Sequence, residues 1–269
     1  MSRISERLSQ LKRSGGKGFI PFVTAGDPDL ETSKKIVLAL AEAGADVIEL
    51  GVPFSDPMAD GPTIQASSQR ALKQGATVGR ILSLTTEIRA LTEVPIVLFS
   101  YFNPLFRYGI EKLANDAVEA GIDGVLITDV IDTAAADIGR ILRSSGLDMI
   151  SLIAPTTTDE RLLRIAQRSS GFVYAVSRAG ITGERAELSA SAQTLVARAK
   201  LFTDLPIAVG FGISSREQIQ DVWHFADAAV VGSAIVGEIE RSIGITDEAE
   251  AVTNFVARLL PYRKGAVST

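Results

Sequence analysis

Two carboxylates, one inside an apolar run and one on the proline-stiffened loop that follows, are the most chemically suggestive feature of this chain. The stretch Asp46-Val47-Ile48-Glu49-Leu50-Gly51-Val52-Pro53-Phe54-Ser55-Asp56-Pro57-Met58-Ala59-Asp60-Gly61-Pro62 begins with strand character and places Glu49 inside the run. It then breaks into a loop carrying Asp56 and Asp60. Val47-Ile48-Glu49-Leu50 reads as a parallel strand buried on both faces, where an unpaired carboxylate is costly. An acid kept there is either ion-paired in the core or has chemistry to do. A carboxyl in apolar surroundings has a raised pKa while a second one in a polar loop stays ionised, and such a pair suits proton transfers. Asp-Gly-Pro is also an ordinary turn sequence, so Asp60 takes on this reading only beside Glu49.

The elements that must hold these acids recur from Gly18 onward as a short apolar strand, a turn rich in Gly, Pro, Asp or Thr, and an amphipathic helix. Strands are expected at Phe19 to Val23, Val47 to Leu50, Ile96 to Phe99, Gly124 to Ile127, Met149 to Ile153, Phe172 to Val176, Pro206 to Val209 and Ala228 to Val231. Helices are expected near Leu30 to Ala43, Ile64 to Lys73, Val78 to Leu91, Ile110 to Ala120 and Thr133 to Ser144. Further helices start near Asp159, with Thr157 and Glu160 at capping-box spacing, near Gln193 after a long loop from Ser177 to Leu188, and after Ser214, capped with Glu217. Helices also follow Gly232-Ser233 toward the C-terminus.

Eight strand-helix units of this length predict an α/β fold, a single-domain (β/α)8 TIM barrel with extra helices at the N-terminus and around loops 2, 6 and 8. The domain spans 1–269, with 1–16 an N-terminal helix bearing Ile4, Leu8 and Leu11 at helical spacing and 264–269 a flexible tail. An open doubly wound sheet is the competitor, but its Gly-x-Gly-x-x-Gly turn after the first strand is missing.

A barrel carries its active site at the C-terminal ends of its strands. Gly210-Phe211-Gly212-Ile213 and Gly232-Ser233 follow the seventh and eighth strands, and Ala179-Gly180-Ile181-Thr182-Gly183 lies in the loop after the sixth. Glycines let amides approach an anion and helix N-termini add positive potential, so these loops suit a phosphate, although tight turns use glycine too. Phe22, Phe99, Leu126, Ile153, Tyr174 and Phe211 come from successive strand ends and suit the walls for a flat apolar substrate. No lysine falls at a strand's inner end for a Schiff base. The single histidine, His224, falls beside Trp223 on a helix, which disfavours metal catalysis.

Composition narrows the classes further. With 46% apolar and 6% aromatic residues the chain can bury a large aliphatic core. A net charge of -5 argues against nucleic-acid or anionic-membrane partners, and with no cysteine no disulfide or thiolate site exists. The start lacks the apolar core of a signal peptide and no run approaches the roughly 18 residues of a membrane span, so a cytoplasmic location is expected.

Five segments resemble those of one family, the α subunit of tryptophan synthase: Gly210-Phe211-Gly212-Ile213, Gly232-Ser233 and three longer ones. The longer ones are Phe19-Ile20-Pro21-Phe22-Val23-Thr24-Ala25-Gly26-Asp27-Pro28, the run from Glu49 through Asp56-Pro57 and Asp60-Gly61-Pro62-Thr63-Ile64-Gln65, and Ser177-Arg178-Ala179-Gly180-Ile181-Thr182-Gly183. The similarity extends, in order, from about Lys17 to about Glu240. It implies a lyase subunit of tryptophan biosynthesis that cleaves indole-3-glycerol phosphate to indole and glyceraldehyde 3-phosphate by a retro-aldol step without a cofactor of its own. By resemblance Glu49 is the general acid-base and Asp60 faces the indole N–H. By the same resemblance Thr182 helps close the sixth loop over the site, Gly183, Phe211, Gly212, Gly232 and Ser233 hold phosphate, and Phe22, Tyr174 and Asp129 surround the indole and glycerol.

The resemblance also implies a partner, a pyridoxal-phosphate β subunit in an α2β2 heterotetramer, met through Asp56 and Pro57 on the second loop and Asn103 and Pro104 on the third. After Asp129-Val130 the family commonly has proline where this chain has Ile131. Rival readings are a stand-alone indole-releasing lyase, a largely regulatory subunit that activates a β partner, and another phosphate-binding barrel such as an isomerase of the same pathway.

Overall fold

The computed structural model describes residues 2–176, 185–210 and 212–261, without the side chains of residues 132 and 185–189. Near-continuous apolar runs form eight strands: β1 (Gly18–Thr24), β2 (Ile48–Gly51), β3 (Ile96–Ser100), β4 (Gly124–Ile127), β5 (Asp148–Ile153), β6 (Val173–Val176), β7 (Ile207–Gly210) and β8 (Ala228–Val231). They pair in parallel and in sequence order, and β8 closes on β1. The helices begin with α1 (Arg3–Ser14), α2 (Leu30–Glu42), α3 (Pro62–Lys73), α4 (Val78–Arg89), α5 (Phe102–Tyr108) and α6 (Ile110–Ala120). They continue with α7 (Asp132–Ser144), α8 (Asp159–Arg168), α9 (Arg185–Ala199), α10 (Arg216–Phe225), α11 (Ser233–Ser242) and α12 (Glu248–Leu259). Among the described residues no helix is long and apolar enough to cross a membrane.

Closure divides every strand by parity. Outward residues such as Ile48, Leu50, Leu98, Val125 and Ile153 pack beneath the helices in one large cluster. Inward residues such as Ile20, Val97, Leu126, Ile150, Phe172 and Ala208 fill the barrel in a second, smaller one. Helix α1 stoppers that second core. Its Ile4, Leu8 and Leu11 are buried among the inward residues, the amphipathic stripe expected from their spacing. Gly124 makes the room, since a Cβ there would stand 3.0 Å from Ile4 Cδ1 and 2.7 Å from Ile150 Cδ1.

Aspartates just ahead of the strands anchor this closed end. Asp46 accepts from the Phe19 amide at 2.7 Å and from Arg7 of α1 at 2.7 Å. Asp123 accepts from the Ile96 amide at 2.9 Å and from Arg3 at 3.0 Å. Asp227 accepts from the Ile207 amide at 2.9 Å. Each carboxylate thus satisfies a strand-end amide of its neighbour.

Several local expectations are corrected. Helix α8 is capped by Thr158, which accepts from the Arg161 amide, because the Thr157 hydroxyl is taken by the Ala154 amide at 2.9 Å. Helix α10 is capped by Ser215 in a complete capping box with Gln218, not by Ser214 with Glu217. Helix α9 starts at Arg185, within the expected loop, in an alanine-rich segment of high helix propensity. Helix α5 was not expected, since Asn-Pro reads as a break, but proline is tolerated in a first helical turn and the Phe102 amide is held by Asp129. The expected tail, 264–269, lies outside the described residues.

Truncating Ile4 to Ala leaves a void under the barrel floor. It is expected to lower the unfolding free energy by about 2–5 kcal/mol, read as an earlier midpoint in urea unfolding followed by circular dichroism.

Candidate active site

Parity on β2 points Glu49 into the open end of the barrel, while Ile48 and Leu50 turn outward. Across the register Glu49 stands beside Phe22 of β1, and Gly51 beside Phe99 of β3. The two rings meet edge to face, with centroids 5.2 Å apart. Phe22 can lie there only because Gly51 has no side chain, as a Cβ would come within 2.5 Å of its ring. Tyr174 of β6 closes in from the other side over Gly210.

Together these groups line a cavity of about 160 Å³ that also meets Asp60, Ile64, Gly212, Val230, Gly232 and Ser233. One side is aromatic and carries both acids. The other consists of the glycine turn after β7 and the N-terminus of α11, where the helix dipole and first-turn amides favour an anion.

The two carboxyls occupy different surroundings. Glu49 is 1% exposed, and among the described residues neither of its oxygens has a hydrogen-bond partner. Burial alone pushes it up to about 8, so it is protonated at neutral pH. The Tyr174 hydroxyl is also pushed up, by burial and then by the charge Glu49 would carry. Asp60 is raised by burial, and the Tyr101 hydroxyl hydrogen-bonded to it counters that rise. Tyr101 also accepts from the Ala59 amide at 3.0 Å and packs on Phe54. The proline-rich loop is thereby tied to the end of β3. The Asp60 carbonyl accepts from Gln65 at 2.9 Å, which fastens the same loop to α3.

Phe22, Glu49, Asp60, Phe99, Tyr174, Gly212, Gly232 and Ser233 therefore share one cavity. Thr182, Gly183 and Phe211 lie outside the described residues. Asp129 is exposed at the end of β4, outside the lining, and its carboxylate accepts from the Phe102 amide at 2.6 Å. Asp56 and Asn103 are exposed, and Pro57 and Pro104 are half-buried, on the connections after β2 and β3. Of the proposed ring, Leu126 belongs to the barrel interior and Ile153 faces the helices, so Leu152 is the inward residue of that pair. Sequence reading passed over Ile64, Val230 and Tyr101. The first two were within reach of it, since Ile64 stands in the first turn after Asp60 and Val230 shares the inward parity of Ala228. His224 is exposed on α10, and among the described residues no cluster of His, Asp or Glu is placed to hold a metal ion.

Residues 8–264 match the family model described as tryptophan synthase alpha chain. The chain belongs to the tryptophan synthase alpha-chain family. Alpha chains from Citrifermentans bemidjiense and Geobacter sp. strain M21 are each 49% identical to it over 259 residues, covering 96% of this chain and 97% of theirs. The crystal structure of the alpha subunit from Legionella pneumophila superposes with a TM-score of 0.90 at 36% identity, covering 96% of this chain and 97% of that one. A Pyrococcus furiosus chain from a study of mutual activation in the tryptophan synthase α2β2 complex superposes at 0.84 with 40% identity, covering 91% and 98%. As a member of this family the chain is a lyase of tryptophan biosynthesis that cleaves indole-3-glycerol phosphate to indole and glyceraldehyde 3-phosphate.

Two outcomes follow from the packing around Glu49. Its pKa is higher folded than unfolded, so its contribution to stability is full below the unfolded value and is lost as pH rises toward about 8. Glu49→Gln is therefore expected to melt above the parent at pH 8, with the margin shrinking toward pH 5 in calorimetric scans. Gly51→Ala is expected to displace the Phe22 ring and lower kcat/KM for cleavage by about tenfold or more, checked by steady-state indole release.

Proposed function

We propose that Glu49 is both general acid and general base in the cleavage of indole-3-glycerol phosphate, and that Asp60 steadies the positive charge that develops on the indole nitrogen. The observation that carries this reading is the buried carboxyl of Glu49, without a hydrogen-bond partner among the described residues and held protonated in the same cavity as a second, more polar carboxyl. In this reading the indole lies among Phe22, Phe99 and Tyr174, and the phosphate sits at Gly212, Gly232 and Ser233 against the positive end of α11.

Proton and electron flow then close without a cofactor in this chain. Glu49 gives its proton to indole C3, and the positive charge spreads to the ring nitrogen, where the Asp60 carboxylate faces the N–H. Glu49, now ionised in apolar surroundings, is a strong enough base to take the proton of the side-chain hydroxyl beside the scissile bond. The C–C bond breaks, its electron pair restores the aromatic indole, and the hydroxyl carbon leaves as the aldehyde of glyceraldehyde 3-phosphate. Glu49 ends protonated, as it began.

The same reading assigns this chain a β partner that carries pyridoxal phosphate and consumes the indole. Its support is a run of exposed apolar side chains on three successive connections, Met58 after β2, Phe106 on α5 and Ile131 before α7. They accompany Asp56, Pro57, Asn103 and Pro104. The α2β2 assembly named for the Pyrococcus furiosus relative adds to it, and a cytoplasmic location goes with it.

Indole release from indole-3-glycerol phosphate by the purified chain, with and without a cognate β subunit, tests both parts. Slow release that rises strongly with the partner is expected. Fast release indifferent to the partner would point to a stand-alone lyase. Glu49→Gln is expected to lower kcat by about 10²–10⁴-fold, and near-normal turnover by that variant would overturn the assignment.

A further inference from the structure

We propose that Arg70 is a positioning residue that sets the Asp60 loop and the phosphate end of α11 in register with β1, so that acid placement and phosphate grip are fixed together. The inference rests on the site reading above. Its basis is one guanidinium group that joins three elements, each of which carries a wall of the cavity.

Arg70 lies on the inner part of α3, about two turns beyond the start of the helix at Pro62. Its Nε and Nη2 donate to the two oxygens of Asp27 at 2.7 and 3.0 Å. Asp27 is 1% exposed and lies just beyond β1, the strand that contributes Phe22. The remaining arm, Nη1, donates to Glu240 on α11 at 2.7 Å. Glu240 stands about two turns after Ser233, the residue at the anion-favouring end. Helix α3 in turn begins directly after Asp60-Gly61 and carries Ile64.

Docking of α3 does not depend on this contact alone. Buried hydroxyls of Thr24 and Ser67 meet at 2.6 Å, and Ala71 is fully buried against the barrel. Helix α3 also packs directly on α11 and on β1. The planar fork on Asp27 adds a directional, charge-assisted contact to that packing, and its third arm brings α11 under the same constraint. A lysine has the charge but not the fixed fork, so it can hold one of these acids in good geometry but not both. Catalysis is sensitive to such errors, because a shift of about 1 Å remote from the reacting atoms can cost about 100-fold.

The test measures kcat and KM for indole-3-glycerol phosphate in Arg70→Lys and Glu240→Ala, and the affinity of both for glycerol 3-phosphate by calorimetry. Thermal unfolding is followed alongside. Arg241→Gln, which removes an exposed ion pair within α11, is the control and keeps the parent constants.

Arg70→Lys is expected to lower kcat about tenfold and raise KM by a similar factor. Glu240→Ala, which removes only the α11 arm, is expected to raise KM and weaken glycerol 3-phosphate binding by about threefold, with a smaller effect on kcat. Glu240 is half-exposed, so this variant carries the test even if Arg70→Lys fails to fold. Parent-like kcat, KM and glycerol 3-phosphate affinity in the folded variants, whatever their melting temperatures, would reduce Arg70 to a structural clamp and overturn the inference. A parent protein that releases no indole would instead count against the site reading, and the glycerol 3-phosphate affinities would still decide the role of Arg70.

Discussion

A carboxyl with no hydrogen-bond partner among the described residues is stable inside this barrel only while it keeps its proton, and the arrangement of the open end follows from that condition. Water would solvate Glu49 and return it to the ordinary carboxylate range, so its surroundings must be dry. Phe22, Phe99 and Tyr174 supply the dryness, and Gly51 and Gly210 leave the space in which two of those rings lie. The cost of burying the acid is borne by the rest of the fold, which must hold β2 firmly enough that Glu49 cannot turn out to solvent.

That firmness begins at the opposite end of the barrel. A closed sheet has no edge to fray, and α1 fills the floor with Ile4, Leu8 and Leu11 while its arginines reach Asp46 and Asp123. Each of those aspartates also accepts from one amide near the start of a neighbouring strand, so the floor, the strand starts and the N-terminal helix are held by the same few groups. The division of labour is the one expected of this architecture, with stability at the N-terminal ends of the strands and chemistry at the C-terminal ends.

The second acid is held differently. Asp60 stands on a loop, and its position depends on contacts at both ends of that loop: Tyr101 at the end of β3 and Gln65 in the first turn of α3. Tyr101 is also the residue from which α5 starts, and α5 carries part of the exposed apolar surface assigned to the β partner. The Asp60 loop and the surface proposed to meet a β partner are thus adjacent through one side chain. Under that proposal this adjacency is the route by which a partner would act on the site without entering the cavity.

Much of this was legible in the residues alone. Eight apolar runs alternating with amphipathic helices specify a barrel because strand burial on both faces and short connections leave few other packings. Glu49 was visible because an acid inside such a run is costly, and Gly212, Gly232 and Ser233 were visible as glycine-rich strand ends, which the fold brings to the same cavity. Signals that depend on one residue's place among equivalents were read less well: the caps of α8 and α10 each fell one residue later, and Asn103-Pro104 did not announce α5. What only tertiary structure decided was which side chains meet. Register across the closed sheet set Glu49 beside Phe22, parity turned Ile153 away from the cavity, and Asp129 went to the α5 N-terminus. Arg70 found two acids far apart in sequence. Element type follows from local periodicity and composition, whereas these encounters follow from strand stagger and helix docking, which no short stretch of the chain encodes.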